Sequence, residues 1–81
     1  VAMKAKYTTK QGQYLAFIYN YTKLQNIPPS EADMQRFFEV TPPSVHDMVL
    51  RLEAKGLISR IPGQPRSIQV LLAPDEIPPL M

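Results

Sequence analysis

The stretch from residue 41 to residue 72 constrains the fold most, because it joins a helix with marked ends to two short strands. Thr41 is a favourable N-cap, and Pro42 falls at the first helical position, where a missing N–H costs nothing. Lys55 lies in the last turn, and Gly56 follows it where a left-handed residue commonly ends a helix. The apolar residues between these ends recur at helical spacing and predict one buried face. They are Val45, Met48, Val49 and Leu52.

A β-hairpin is predicted after this helix. Residues 57–61 and 67–72 flank a turn in which Pro62 and Pro65 restrict the backbone and Arg66 supplies a positive charge. A capped helix that leads into a hairpin with a basic tip is typical of the second half of a winged helix-turn-helix. This arrangement favours DNA binding over catalysis.

Two further helices are predicted upstream. Thr8 and Gln11 fit a capping box, and the helix that they begin should end near Asn26. Its apolar residues follow a helical spacing that is more typical of a core than of base-stacking groups. They are Tyr14, Phe17, Ile18, Tyr21 and Leu24.

The second helix should follow the break at Pro28 and Pro29, with Ser30 as N-cap and Asp33 completing the cap. It is short, ends near Phe38 and takes its apolar content from four residues. These apolar residues are Ala32, Met34, Phe37 and Phe38. Residues 39–41 form the turn before the third helix, as in a helix-turn-helix.

The predicted fold is therefore mainly α with a small β-hairpin, a three-helix winged helix-turn-helix over residues 8–72. Residues 1–7 are predicted to be a flexible N-terminus. Residues 73–81 contain three prolines and no periodicity, and they are predicted to be an extended proline-rich tail.

Composition excludes several functional classes. A chain of 81 residues builds one domain, and the absence of cysteine rules out disulfides and thiolate metal sites. His46 is the only histidine, and no nucleotide-binding or metalloprotease motif occurs, so we expect neither enzymatic activity nor a cofactor. No apolar run approaches the roughly 18 residues of a membrane span. We expect no membrane partner and a cytoplasmic, nucleoid-associated protein.

The charge distribution is more informative than the net charge of +2. Residues 1–25 carry lysines and no acid, and residues 41–72 carry more basic than acidic groups, whereas acids concentrate in residues 31–39 and in the tail. This pattern allows a positive face on one side of the domain. A mixed solvated surface is the alternative, and the charges alone do not separate the two.

The start of the third helix supplies the candidates for reading base edges, because the N-terminal residues of a recognition helix meet the major groove. These candidates are Pro43, Ser44, His46 and Asp47. The alternative is an ordinary solvent-facing helix surface.

Basic residues near the helix ends and on the hairpin are the candidates for contacting phosphates. They are Lys10, Arg51, Lys55, Arg60 and Arg66. Arg66 at the hairpin tip could also enter a minor groove. Its alternative role is to pair with an aspartate or glutamate of the same chain.

Four short segments resemble, in order and spacing, the N-terminal DNA-binding domain of the LexA repressor family. They are TTKQ at 8–11, IPPS at 27–30, LEAKGLI at 52–58 and PRSI at 65–68. The resemblance covers about residues 7–72 and implies a three-helix winged domain that binds operator DNA and represses transcription. Family members usually continue into a serine–lysine self-cleaving peptidase domain that also dimerises the repressor. None of that domain follows Pro79, so we expect an isolated DNA-binding domain or a stand-alone relative.

The sequence departs from the family pattern at three places. Glu39 stands where glycine is common, and Phe37 stands where a polar residue is expected. The third helix of family members often begins with an asparagine and two glutamates, whereas this chain has Pro43, His46 and Asp47. The operator sequence therefore does not carry over from the family.

The predicted function is sequence-specific binding of double-stranded DNA by a repressor-like transcriptional regulator without a peptidase domain. The partner is double-stranded DNA, and a weak homodimer on DNA is expected. The alternative is a winged-helix module for protein–protein interaction that uses Phe37, the hairpin or the proline-rich tail.

Overall fold

The computed structural model describes residues 6–81. Three helices are followed by two short antiparallel strands and a 3₁₀ turn. In chain order they are α1 (Thr9–Gln25), α2 (Glu31–Phe38), α3 (Pro42–Ala54), β1 (Ile58–Ser59), β2 (Gln69–Val70) and the 3₁₀ turn Pro74–Glu76. This order confirms the predicted three-helix winged helix-turn-helix. Within residues 6–81, no helix is long and apolar enough to cross a membrane.

The two predicted capping boxes are confirmed. The Gln11 backbone N–H donates to Thr8 Oγ1 at 3.1 Å, and the Thr8 N–H donates to Gln11 Oε1 at 3.0 Å. Ser30 and Asp33 make the same reciprocal pair at the start of α2. Each box satisfies backbone donors that a helix start would otherwise leave without partners.

Thr41 begins α3 as predicted, but its side chain makes no cap hydrogen bond to the backbone. The reason is local. Pro43 at the second helical position has no N–H, and the Ser44 N–H donates to the Thr41 carbonyl at 3.1 Å instead. The Thr41 hydroxyl lies 2.9 Å from the Ser44 hydroxyl.

Left-handed residues end the helices and turn the chain. Asn26 (φ 61°) caps α1, Glu39 (φ 54°) caps α2, and Gly56 (φ 75°) follows α3. Glu39 therefore adopts the conformation for which the family commonly uses glycine. A non-glycine residue pays roughly 1–2 kcal/mol there.

One core joins the helices to the hairpin. Its members are fully or nearly fully buried: Tyr14, Leu15, Phe17, Ile18, Met34, Val45, Val49, Leu52, Leu57, Ile58 and Ile68. One predicted core position is wrong. Leu24 is 78% exposed, because the last turn of α1 extends beyond the elements that pack on this helix. Among the apolar residues of α2, Met34 is buried and Phe38 is half-buried, whereas Ala32 and Phe37 are exposed.

The hairpin, which we call the wing (residues 57–70), has shorter strands than predicted. Ile58 pairs with Val70 and Ser59 pairs with Gln69. The ladder stops there because the Ser67 hydroxyl accepts the Ile61 N–H at 2.9 Å and lies 2.8 Å from the Gln64 carbonyl. Ser67 thus closes the turn instead of extending the second strand.

The tail at 73–81 differs from the extended arm that its composition predicts, because it folds back onto the start of α1. The Tyr7 hydroxyl donates to the Glu76 carbonyl at 2.6 Å. The Gln13 side-chain amide donates to the Pro79 carbonyl at 3.1 Å and accepts the Met81 N–H at 2.8 Å. The prediction of a flexible N-terminus falls largely on residues 1–5, which lie outside the described residues.

Candidate nucleic-acid interface

The outer face of α3 is free of the core. With 3.6 residues per turn, Pro43, Asp47 and Leu50 lie on the side opposite Val49 and its buried neighbours. All of them are exposed, as are Ser44 and His46. The four predicted base-reading residues are therefore all accessible at the N-terminal half of this helix, with Pro43 and Asp47 on its outer face and Ser44 and His46 on the two flanks of that face.

The polar groups on this surface have partners of their own. The His46 Nδ1 atom lies 3.3 Å from Glu31 Oε2 at the start of α2, and Asp47 Oδ2 lies 2.9 Å from Arg51 Nε one turn along α3. Both members of the Asp47–Arg51 pair are more than half exposed. Exposed pairs of this kind contribute little free energy, so a DNA base or phosphate can displace them at small cost.

Apart from Arg51 on α3, the predicted phosphate contacts occupy two regions. Lys55 Nζ donates to Gln11 Oε1 at 2.8 Å and so brings the end of α3 beside Lys10 in the first turn of α1. Arg60 lies on the wing, where its Nε donates to Glu53 Oε1 at 3.0 Å and its side chain is only 17% exposed. Lys10 and Lys55 are exposed, so they are more accessible to a phosphate than Arg60 is.

Arg66 is turned towards the helices. Its Nη1 atom lies 3.0 Å from Asp33 Oδ2, 3.2 Å from the Tyr21 hydroxyl and 3.2 Å from the Pro28 carbonyl. The pairing that the sequence offered as the alternative role of Arg66 is therefore present. The hydrogen bond to the Tyr21 hydroxyl is the largest cause that raises the pKa of Arg66 above its ordinary value, and the charge of Asp33 raises this pKa further.

Asp33 is the centre of this cluster, which we call the Asp33 cluster (Tyr21, Ser30, Asp33, Arg36 and Arg66). The carboxylate is 8% exposed and binds Ser30 N, Arg36 and Arg66. Burial alone raises the pKa of this carboxyl, but the hydrogen bonds from Ser30, the charge of Arg66 and the Tyr21 hydroxyl outweigh burial and lower the pKa below its ordinary value. The carboxylate is thus held ionised.

An open cleft of about 350 Å³ separates the wing from the helix-turn-helix. Ser30, Glu31 and His46 line one side, and Arg60 and Arg66 are among the wing residues that line the other. Charged groups of both signs line this cleft, and it reaches the N-terminal half of α3 at His46.

Sequence reasoning missed two residues of this surface. Leu50 is 41% exposed near the middle of the outer face of α3. Its exposure could have been predicted, because Leu50 does not fit the helical spacing of the core residues at 45, 48, 49 and 52. Glu31 binds His46 across the turn between α2 and α3. No sequence rule links Glu31 with His46, because they lie 15 residues apart in different helices.

Comparison with known proteins agrees with this geometry. A family model described as the LexA DNA-binding domain matches residues 4–67, which contain all three helices and most of the wing. A LexA repressor of Bartonella quintana (strain Toulouse) is 37% identical over 71 residues, which cover 86% of this chain and 30% of that protein. The chain thus spans about 30% of the length of this relative. The resemblance seen in the four sequence segments is confirmed, and the chain belongs to the family of LexA DNA-binding domains.

Proposed function

We propose that this domain binds double-stranded DNA in a sequence-dependent way, with the N-terminal half of α3 in the major groove and the wing beside the neighbouring backbone. The observation that carries the proposal is the exposed surface of α3, which presents Ser44, His46 and Asp47 to solvent and places His46 in the cleft beside the wing. A recognition helix in this setting meets base edges through its first turns.

Each base-reading candidate suits a different group in the groove. Asp47 accepts a hydrogen bond from cytosine N4 and repels phosphates, so it disfavours wrong registers. Ser44 can donate or accept, and His46 can do either according to its tautomer. Pro43 offers only carbon atoms at the helix start. Leu50 provides an apolar contact for the methyl group of thymine.

Phosphate contacts complete the proposed interface. Lys10 and Lys55 lie together at one end of the domain, and Arg51 lies one turn beyond Asp47 on α3. Arg60 is held by Glu53 and would contact phosphate only by sharing its guanidinium group. These contacts fix the position of the protein on the duplex and carry no sequence information themselves.

In the cell, we propose that this DNA binding represses transcription and that the protein acts in the cytoplasm at the nucleoid. The proposal draws on the relative named a LexA repressor. No catalytic step is assigned to this domain. Binding to paired half-sites as a weak homodimer is the expected mode on DNA, since helix-turn-helix proteins commonly use two-fold symmetric sites.

The decisive experiment selects bound sequences from a random duplex pool and compares the wild-type protein with His46→Ala and Asp47→Ala. A motif should emerge for the wild type, and each variant should change the preferred base at specific positions. The Lys23→Ala variant is the control, because Lys23 lies in the last turn of α1 and is neither a base-reading nor a phosphate candidate. No enriched motif with the wild-type protein would reject sequence-specific binding.

The second candidate function is a protein-interaction module. Phe37 favours it, because its ring is 47% exposed on α2 even though it packs against Phe17 at 4.6 Å between ring centroids. A protein of this kind would bind duplex DNA weakly and without salt dependence. Fluorescence anisotropy of random duplex DNA between low and moderate salt separates the two functions. Phosphate contacts should give an affinity that falls steeply with salt.

A further inference from the structure

We infer that Arg66 is a positioning residue that fixes the wing against the helix-turn-helix through Tyr21, Pro28 and Asp33, so that α3 and the wing meet one duplex together. The inference rests on the proposed DNA binding for its functional consequence. Its structural part stands on the contacts of a single guanidinium group with three separate parts of the helical body.

The first support is the spread of these contacts. Tyr21 belongs to α1, Pro28 lies in the linker after it, and Asp33 belongs to α2. The three partners lie 45, 38 and 33 residues before Arg66, so no local rule of turn formation requires any of them. An arginine that only extended into solvent would make no contact with these three parts of the helical body. The contacts instead join the outer part of the wing to the helices.

The second support is the backbone of Arg66. Its φ of 57° is left-handed, a region that favours glycine, and Gly63 in the same hairpin has a similar φ of 78°. A side chain at a left-handed position costs roughly 1–2 kcal/mol relative to glycine. A conformation of this cost persists where surrounding contacts determine it, which is the usual sign of a functional constraint. The contacts that Arg66 makes outside its own turn are those of the guanidinium group.

The third support is the lack of other anchors for the outer wing. Residues 61–66 are all exposed, and the strands pair over only two residues each. Ser67 holds the turn together internally through Ile61 and Gln64 but contacts no helix through its side chain. Arg60 ties the base of the wing to Glu53 of α3, so within the described part of the chain the side chain of Arg66 is the polar link that reaches the outer wing (residues 61–66) from the helical body.

The consequence for DNA binding is preorganisation. A wing that is already placed relative to α3 loses little conformational entropy when both contact the duplex. A wing released from Asp33 and Tyr21 would have to be ordered at that moment. The cleft between the wing and α3 would then vary in width, and binding of the preferred sequence would weaken although every phosphate-binding lysine remained in place.

The test uses three single variants of the full chain and the double variant that combines Tyr21→Phe with Arg66→Asn. Tyr21→Phe removes one partner and leaves every positive charge in place. Arg66→Asn removes the guanidinium group but puts a residue that tolerates a left-handed backbone at this position. Arg36→Ala is the matched control, because Arg36 is also a cation bound to Asp33, yet it lies on α2 and does not contact the wing.

Two readouts are measured for each variant. The first is the hydrogen exchange of the Ile61 and Gln64 amides, which are hydrogen-bonded within the wing. The second is the affinity for the selected duplex at several salt concentrations. Tyr21→Phe should weaken binding roughly five-fold, the size of one lost hydrogen bond, with an unchanged salt dependence and faster exchange in the wing. Arg66→Asn should weaken binding further, and the double variant should be no weaker than Arg66→Asn alone. Arg36→Ala should leave the wing amides unchanged.

Two results would overturn the inference. In the first, Tyr21→Phe binds DNA like the wild type, and Arg66→Asn leaves the hydrogen exchange of the wing amides unchanged. Arg66→Asn then reduces the slope of log affinity against log salt concentration by about 0.9, as expected for one lost phosphate contact. In the second, neither variant changes affinity or exchange. If the wild-type protein bound no duplex at all, the proposed function would fail, whereas the exchange of the wing amides would still decide whether Arg66 fixes the wing.

Discussion

Asp33 Oδ2 lies 3.0 Å from Arg66 Nη1, so the carboxylate that caps α2 also holds the wing. The strength of both contacts depends on the ionised state of one buried group. Titration of Asp33 should therefore affect the start of α2 and the placement of the wing at the same time.

Acid should weaken the fold through Asp33. Its pKa is lowered in the folded state from an ordinary value of 3.8, so its contribution is complete above that value and is lost as the pH falls through the folded pKa. The free energy of unfolding should decline as the pH drops below about 3.8. Urea unfolding at a series of pH values measures this decline. Asp33→Asn should be less stable at neutral pH and show a shallower decline, and equal slopes in the two proteins would contradict the assignment.

Replacing Gly12 with alanine should release the tail. A Cβ atom there would lie 2.8 Å from Tyr7 Cε1 and 3.0 Å from Pro78 Cγ, so both neighbours must move. Alanine favours the helix by about 1 kcal/mol over glycine, and this gain should offset much of the lost contact. We therefore expect faster hydrogen exchange at the Met81 amide with a melting temperature close to that of the wild type. An unchanged Met81 amide would show that the tail adjusts without leaving α1.

Glu39→Gly should stabilise the domain. Glycine removes the cost of a left-handed side-chain residue, which is roughly 1–2 kcal/mol. The greater conformational freedom of glycine in the unfolded chain lowers the stability by about 0.4–1 kcal/mol and so offsets part of this gain. A net gain of about 0.5–1 kcal/mol in the free energy of unfolding is expected from these two terms. Chemical denaturation measures it. Glu39→Gln is the control, since it removes the charge and keeps the strain, and a gain of equal size in this variant would assign the effect to charge.

Leu50 should recognise thymine by contact with the methyl group of the base. Loss of one such contact costs about 0.8 kcal/mol, which is roughly a four-fold change in Kd. The measurement replaces each thymine of the selected duplex in turn with deoxyuridine, which lacks only that methyl group. One replacement should weaken the wild-type protein and leave Leu50→Ala unaffected. Equal losses in the two proteins at every position would place Leu50 outside the groove.

Much of the helical framework could be predicted because its determinants are local. The capping residues Thr8, Gln11, Ser30 and Asp33 act within three residues of their partners, and the core face of α3 follows from helical spacing. The family resemblance marked Glu39 as a position where glycine is common, and Glu39 indeed adopts a left-handed conformation. Short-range rules were therefore sufficient for where each helix begins and ends.

The remaining features depend on contacts that no spacing rule specifies. Gln13 binds the backbone of Met81 across 68 residues, and Arg66 finds Tyr21 across 45, so neither contact could be read from its neighbours in sequence. Leu24 fits the helical pattern, but its burial depends on whether another element reaches the end of α1. The base-reading and phosphate assignments remain predictions for the same reason, since their partner is a separate molecule.

The Asp33 cluster also has a consequence for how this sequence can change over time. A substitution at residue 33 would leave Arg66 without its carboxylate and α2 without part of its cap, and Ser30 or Tyr21 could not replace that charge. Relatives that lack an acid at this position should therefore also lack the arginine of the wing. We expect positions 33 and 66 to covary across the family, with position 36 varying independently of both.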